Sequence, residues 1–335
     1  MEAVRRVRPR IKYLKKDITA DLAPYLLSLT YTDYAHGKAD DLEIRLADRE
    51  GLWSGPWYPG KGDRIEVELF CENWLGSGRH VTLRCGVFEI DEIEASGPPS
   101  EVVVRAHSAL VTKDLRSTKR TRAWENTSLR AIASEIAGHH GLQLIWDGPD
   151  VPYRRVDQTE EPDLAFLKRL CEAADRYLKL AHEKLIISEE TAKVGGPLVG
   201  TIMKEGCKRF RLRDKTHRIF RACKVYYFDP ERKELLEHVE EDPKAPASGE
   251  TLVLNERCES LSQAIKRARA ELSRRNRFET EGELVVPGDP SLVAGVSVEL
   301  KDFGRLSGRY AVEESRHTYS RAGYETSLRL RRVRE

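Results

Sequence analysis

Apolar and polar residues alternate along much of the chain, and one alternating stretch occurs twice. In the first copy, residues 86–108 (GVFEIDEIEASGPPSEVVVRAHS), Phe88 and Ile90 alternate with acidic residues up to a Gly-Pro-Pro-Ser turn, after which a valine-rich segment follows. Alternation with a period of two, interrupted by glycine and proline, predicts a β-hairpin. The second copy covers residues 308–332 (GRYAVEESRHTYSRAGYETSLRLRR).

The two copies correspond position by position. The matched pairs are Gly86 with Gly308, Phe88 with Tyr310, Ile90 with Val312 and Glu92 with Glu314. The strands ahead of them also correspond, GDRIEVEL at 62–69 with GVSVEL at 295–300. We therefore predict two similar antiparallel β-domains in one chain. The alternative is a chance likeness, because hairpins of this type are common in all-β proteins.

Helical spacing replaces the alternation between the two copies. Thr127 or Ser128 can cap a helix that Gly141 ends. A strand follows, and residues 156–180 contain a second amphipathic helix. A short hairpin over 177–187 completes what we predict to be a compact α+β insert.

Three carboxylates lie at the start of the second helix, on Glu160, Glu161 and Asp163. Pro162 lies among them, at a plausible first helical position. Carboxylates near the positive end of a helix are stabilising, so they are explained without acid–base catalysis.

The C-terminal third contains one more helix, which Ser260 or Ser262 can cap. Residues 229–250, between two short strands, are predicted to form a charged, solvated loop. The whole pattern predicts an α+β fold that is mainly β, with two similar antiparallel β-domains. We place the first β-domain at 1–108, an α+β insert at 109–204, and the second β-domain, with a helix over 260–277, at 205–335.

Composition excludes several classes of protein. The 57 basic residues nearly cancel the 55 acidic ones, leaving a net charge of +2, so total charge does not indicate a nucleic-acid partner. The six cysteines form no C-x-x-C pair, which predicts reduced thiols, no metal site and a cytosolic site of synthesis. Adjacent side chains point in different directions on a helix, so His139 and His140 are not expected to share a metal. No stretch resembles a signal peptide or a membrane span.

Two groups of basic residues are candidate binding faces. One lies near the N-terminus and the other on one side of the C-terminal helix; their members are Arg5, Arg6, Arg8, Lys266, Arg267 and Arg274. A nucleic-acid arm is one interpretation. Solvated strand and helix faces explain both groups without a ligand, and we favour that explanation.

Residues 48–63 (DREGLWSGPWYPGKGD) combine aromatic residues with glycine and proline. This composition predicts an ordered aromatic loop that covers one end of the first β-domain or packs against a partner chain. Candidate interface residues lie in this loop, in the acidic pair that leads into the preceding strand at 42–46, and in the second hairpin; they are Trp53, Trp57, Tyr58, Asp40, Asp41, Tyr310 and Tyr324.

Three stretches, residues 30–63, 156–180 and 286–330, resemble the phage late control D family. These are the baseplate hub proteins of contractile tails, and they are similar to the hub portion of type VI secretion spikes. The first stretch is the most specific, with its acidic pair, alternating strand and tryptophan-rich loop. The second departs from the family at Pro162, where a small polar residue is common.

The resemblance implies a structural protein without a cofactor, in which both β-domains are antiparallel, tube-like β-barrels. It implies a homotrimer in which two like barrels per chain give six similar units around one axis, matching a hexameric tail tube on one side and a trimeric spike on the other. The implied partners are the tail tube protein, the central spike, the tape-measure protein and other baseplate proteins, with DNA only in transit through the lumen. Assembly in the host cytoplasm and residence in the virion baseplate follow from the same resemblance.

The enzymatic alternative is a peptidoglycan hydrolase. The sequence contains no G-x-S-x-G or H-E-x-x-H motif, and no spare segment of about 100 residues for a lytic module. We therefore predict no enzymatic activity and no catalytic residues.

Overall fold

The computed structural model describes residues 4–108, 113–181, 184–189, 195–229, 233–258 and 260–334. Strands dominate it, and the first strands of the chain form what we call module 1. Its elements are β1 (Arg6–Tyr13), β2 (Lys16–Asp17), α1 (Thr19–Leu22), β3 (Leu26–Tyr34), β4 (Asp41–Ala47), β5 (Arg64–Glu72), β6 (Val81–Ser96) and β7 (Glu101–Ser108). None of the described helices is both long and apolar enough to cross a membrane.

The remaining elements form an insert, a second module and a side unit. The insert contains α2 (Lys113–Ser117), β8 (Lys119–Ser128), α3 (Leu129–His139), β9 (Gln143–Trp146), β10 (Pro152–Pro162), α4 (Asp163–Ala173), β11 (Arg176–Ala181) and β12 (Lys184–Glu189). Module 2 begins with β13 (Leu198–Met203) and β14 (Arg209–Asp214). The side unit contains β15 (Phe220–Asp229), β16 (Glu234–Glu241), β17 (Glu250–Asn255) and α5 (Leu261–Asn276). Module 2 then continues with β18 (Thr280–Pro287), β19 (Ser297–Lys301), β20 (Gly308–Ser320) and β21 (Gly323–Arg332).

The two modules repeat one strand order. Neighbouring strands run β3-β4-β7-β6-β5-β1 in module 1 and β14-β18-β21-β20-β19-β13 in module 2. The register repeats as well, because Ile65 lies opposite Phe88 as Val298 lies opposite Tyr310. A register shift also follows Ile90 in the first hairpin and its counterpart Val312 in the second. The predicted duplication is confirmed, with one difference: β1 pairs antiparallel with β5, whereas β13 pairs parallel with β19.

The repeated apolar positions form the two module cores. Phe88 and Tyr310 are both completely buried, and Ile90 and Val312 lie beside them. Burying one such side chain stabilises the fold by about 1.5–3 kcal/mol. The alternation seen in the sequence is therefore the division between a core face and a solvated face.

A direct strand pair joins the modules. Residues 28–34 of β3 pair antiparallel with residues 314–320 of β20, so both modules belong to a single 13-stranded sheet. The junction brings together residues nearly 300 positions apart in the sequence.

The insert has its own core, in which α3 and α4 contact the sheet β11-β12-β9. The Ser128 hydroxyl accepts a hydrogen bond from the Ala131 amide, which identifies it as the cap of α3. Pro162 is the residue before α4 rather than its first residue, because the helix begins at Asp163.

Three features of the structure differ from the sequence-based prediction. β13, predicted within the insert, pairs with β19 of module 2. The helix predicted within the second β-domain, α5, is capped by Ser260 and packs on the separate sheet β16-β15-β17. β16 occupies the predicted charged loop: its half-buried face includes His238 and Glu240, so the strand lacks the apolar alternation that would reveal it.

Candidate assembly interface

The junction between the modules is held by buried polar groups. The Asp33 carboxylate accepts hydrogen bonds from the Ala294 amide at 2.9 Å and from the Lys179 ammonium at 3.1 Å. It therefore ties β3 to module 2 and to the insert. His317 on β20 is buried and lies opposite Tyr31 of β3. Burial lowers the pKa of His317 to about 4, so the ring is neutral at pH 7.

Asp33 and His317 were not among the predicted site residues. Their roles depend on the pairing of β3 with β20, and neither residue lies in a motif that indicates this pairing.

The predicted acidic pair has a structural role. Asp40 accepts hydrogen bonds from the Tyr34 amide and the Tyr31 hydroxyl. Burial, together with the charge of Asp33, raises the pKa of Asp40 to about 7. Asp41 lies 2.6 Å from a ring nitrogen of His107. Both carboxylates thus have partners within the chain.

Hydrogen bonds to one carboxylate hold the aromatic loop. The Asp48 carboxylate accepts from the Trp53 amide at 2.8 Å and from the Ser54 hydroxyl at 2.6 Å. Trp53 packs into the core of module 1, whereas the side chains of Trp57 and Tyr58 are 44% and 51% exposed. The exposed pair is accessible to a partner chain.

The two remaining candidate tyrosines are not equivalent. Tyr310 is completely buried, and its hydroxyl donates to the Leu306 carbonyl, so it offers no surface to a partner. Tyr324 is half-buried beside Trp74 and lies 2.7 Å from a ring nitrogen of His317. Its contacts are mainly with the intermodule junction.

The basic face of α5 is largely neutralised within the chain. Arg267, Arg274 and Arg275 all donate to the carboxylate of Glu271. Burial alone would raise the pKa of Glu271, but these hydrogen bonds lower it to about 2. Lys266 lies on the same helix. This network agrees with a structural explanation for the basic face.

The N-terminal basic residues also have local contacts. Arg5 lies over the ring of Trp74 at 5.4 Å, and Arg8 pairs with Glu72 at 3.3 Å. Arg6 begins β1 and is exposed. Arg6 and Arg8 lie on β1, which pairs with β5, and Arg5 directly precedes this strand.

The histidine pair differs from expectation. His139 and His140 both approach Asp114, so the ligand atoms of the three residues lie within 4.8 Å of one another. The two side chains were expected to diverge, which is wrong, because α3 ends at His139 and the backbone of His140 is not helical. Arg120 already contacts Asp114 and His139, and His140 contacts Asp163.

Several strand edges are open in the described part of the chain, and two of them are the counterparts of the segments that join the modules. β14 pairs only with β18, and residues 92–96 of β6 pair only with β7. In module 2 the segment that corresponds to 92–96 is covered by β3. Exposed edges of this kind are templates for pairing with another chain.

Charges of opposite sign line these edges. Glu92 and Glu94 are exposed and share the guanidinium of Arg105, at 2.9 and 2.8 Å. Arg209, Arg211 and Arg213 of β14 are exposed, and none forms an ion pair with a described carboxylate. The two edges are therefore electrostatically complementary.

Comparisons with known proteins identify the family of the chain. The family model of the phage tail baseplate hub (GPD) matches residues 89–323. The chain belongs to this family. The suspected resemblance is thereby confirmed, and the match includes the insert, the side unit and most of module 2.

Curated baseplate hub proteins are similar over part of their length. The probable baseplate hub proteins of Escherichia phages P2 and 186 are 34% and 32% identical over 179 and 173 residues. The matched segment is 51% of this chain and 42% of each relative, so the chain spans less than half the length of these hub proteins.

Solved structures share the fold over nearly the whole chain. The 43 kDa tail protein of prophage MuSo2 from Shewanella oneidensis superimposes with a TM-score of 0.74 and 16% identity, covering 98% of this chain and 99% of that protein. A tail protein from Neisseria meningitidis MC58 gives 0.71 and 14%, covering 97% and 96%. The E. coli type VI secretion component c3393 gives 0.57 and 11%, covering 98% and 77%. The mainly β hub fold expected from the sequence is confirmed.

Proposed function

We propose that three copies of the chain form the hub trimer that joins the hexameric tail tube to the trimeric central spike. The observation that carries this proposal is the duplicated module. Three chains with two like modules each provide six quasi-equivalent units around one axis. One face of such a ring can match a sixfold tube while the other matches a threefold spike.

The lumen of this ring would be lined by the solvated face of the modules. Glu43 and Arg45 on β4, and Glu66 and Glu68 on β5, alternate with core residues and so share that face. Lys12 pairs with Glu66, Arg84 with Glu68 and Arg105 with Glu43, so basic residues balance the acidic ones on this face. A hydrated wall with balanced charge suits the passage of the tape-measure protein and then of DNA.

The proposed partners are the tail tube protein, the central spike, the tape-measure protein and neighbouring baseplate proteins. The chain would assemble in the host cytoplasm and then remain in the virion baseplate. Trp57 and Tyr58 support a protein partner, because exposed aromatic side chains are enriched at protein interfaces.

We also propose that the chain has no enzymatic activity. The carboxylates that invited a catalytic explanation have structural partners: Asp163 pairs with Arg122 and His140, and Glu161 pairs with Arg169. Zymography on cell walls tests this part of the proposal. Clearing that disappears on Glu160→Gln or Glu161→Gln substitution would contradict it.

Light scattering tests the assembly. We expect a mass near three times the chain mass of 38.2 kDa, either for the chain alone or after addition of the spike protein. A stable monomer that binds neither tube nor spike protein would overturn the proposed function.

A further inference from the structure

The pairing of β3 with β20 within one chain provides a template for the contact between chains. Along the second half of β20, Glu314 lies opposite Tyr34, Arg316 opposite Thr32 and Thr318 opposite Thr30. The Ala35 amide extends the ladder by donating to the Glu313 carbonyl at 3.0 Å.

The same positions exist elsewhere in the chain but are not paired with each other. β6 is the counterpart of β20, and β14 is the counterpart of β3, because the strand orders and registers of the modules correspond. Residues 92–96 of β6 and the outer edge of β14 lie at opposite ends of the joined modules. Within one chain they therefore do not form the contact that β20 and β3 form.

Building on the hub trimer proposed above, we propose that β14 of each copy adds as an antiparallel strand to residues 92–96 of β6 in the next copy. Three such contacts, together with the three β3–β20 junctions, close a ring of six modules. Main-chain hydrogen bonds supply the attraction, as in other strand additions.

Charge supports the register obtained by superposing the modules. That register places Glu92 opposite Lys215, Glu94 opposite Arg213 and Ser96 opposite Arg211. The first two are pairs of opposite charge, and directly opposed pairs of this kind stabilise a sheet. A shift by one residue would place the arginines on the core face.

Apolar residues support the same alignment on the other face. Phe210 and Leu212 alternate with the arginines of β14, and the Phe210 side chain is 42% exposed. Ile93 of β6 is half-buried and packs at the edge of the core of module 1. Strand addition would bring these residues to one continuous core face and cover exposed apolar surface.

Asp214 provides a further correspondence. It is the counterpart of Asp33, whose carboxylate accepts from the Ala294 amide across the junction within the chain. The counterpart of Ala294 is Lys61. Asp214 is exposed in the single chain, and in the trimer it would accept from the Lys61 amide of the next copy.

Disulfide trapping tests this contact in the full-length chain. Cys207, which is not buried, is first replaced by serine, and Glu94→Cys is combined with Arg213→Cys. Oxidation is expected to give a covalent trimer on a non-reducing gel. The matched control combines Glu94→Cys with Arg209→Cys, which lies four residues away, or about 13 Å along the strand. The control is expected to give no disulfide-linked trimer, because cysteines whose Cα atoms are more than about 7 Å apart cannot be bridged.

A charge exchange gives a second readout that does not depend on oxidation. Arg213→Glu is expected to raise the midpoint concentration of trimer formation about tenfold, and adding Glu94→Arg is expected to restore it. The control Arg84→Glu reverses an exposed charge on the part of β6 that β5 already covers, and should leave the midpoint unchanged.

The outcomes separate this inference from the proposed function. A trimer that forms but is not trapped through Glu94→Cys with Arg213→Cys, and that is insensitive to the charge exchange, overturns the strand pairing and leaves the hub trimer standing. A chain that stays monomeric with and without the spike protein contradicts both.

Discussion

The Gly62 amide donates a 2.7 Å hydrogen bond to the Ile90 carbonyl oxygen, at the point where the strand β5 begins beside β6. In the second module the Gly295 amide donates a 2.8 Å hydrogen bond to the carbonyl of Val312. The two glycines have nearly the same backbone angle, with φ of +87° and +89°. The duplication therefore extends to the backbone conformation of the turns that precede β5 and β19.

Gly62→Ala and Gly295→Ala are expected to destabilise the protein to a similar extent, by about 1–2 kcal/mol each, because the left-handed conformation is costly for a residue with a Cβ atom. Neither added Cβ would meet another atom within 4 Å, so the cost is conformational rather than steric. Gly200→Ala is the control, since its Cβ would also meet nothing within 4 Å and its φ is not positive. Urea unfolding measures the three variants. Unequal losses at Gly62 and Gly295 would contradict the equivalence of the turns.

Asp33→Asn is expected to lower the stability by about 2 kcal/mol, because it removes the charge that pairs with Lys179 in a buried junction. The comparison is Glu50→Gln, which neutralises an exposed carboxylate. Chemical unfolding followed by tryptophan fluorescence measures both. Equal midpoints for the two variants would show that the junction does not depend on this carboxylate.

The raised pKa of Asp40 predicts a pH dependence. Above about pH 4 the unfolded chain has released a proton that the folded chain holds until about pH 7, so the free energy of unfolding falls as the pH rises through this interval. Asp40→Asn removes that contribution. We expect the wild type to lose more stability than Asp40→Asn between pH 5 and pH 8. Parallel profiles for the two proteins would contradict the assignment.

The lowered pKa of Glu271 predicts the opposite pH dependence, in which the free energy of unfolding falls as the pH falls. Its pKa is lowered to about 2, so its stabilising contribution is present above about pH 4.5 and is lost as the pH falls toward 2. At pH 7, Glu271→Gln is expected to cost roughly 3 kcal/mol in stability, because three arginines lose their shared carboxylate. Glu250→Gln, at an exposed position on β17, is the control. A stability of Glu271→Gln equal to that of the control would show that the arginine network contributes little.

Local patterns in the sequence predicted the elements that depend on near neighbours. Alternation around Phe88 and Tyr310 identified both hairpins, and Ser128 and Ser260 were among the predicted helix caps. Polar strands were harder to predict: β16 lacks an apolar alternation because its half-buried face carries His238 and Glu240.

The long-range pairings could not be predicted from local patterns. The contact of β3 with β20, and with it the positions of Asp33 and His317, depends on how two distant segments meet. The repeat predicted that two modules exist, but it did not indicate which strands would join them or which edges would stay open. That information emerges only when the strand order of each module is known.

Single-particle cryo-electron microscopy of the assembled full-length chain tests the central claim most directly. We predict a threefold ring in which six β-modules lie at the same radius, spaced by about 60°, with β3–β20 contacts alternating with contacts between β14 and β6. A ring in which the first and second modules lie at different radii, or an assembly without threefold symmetry, would contradict it.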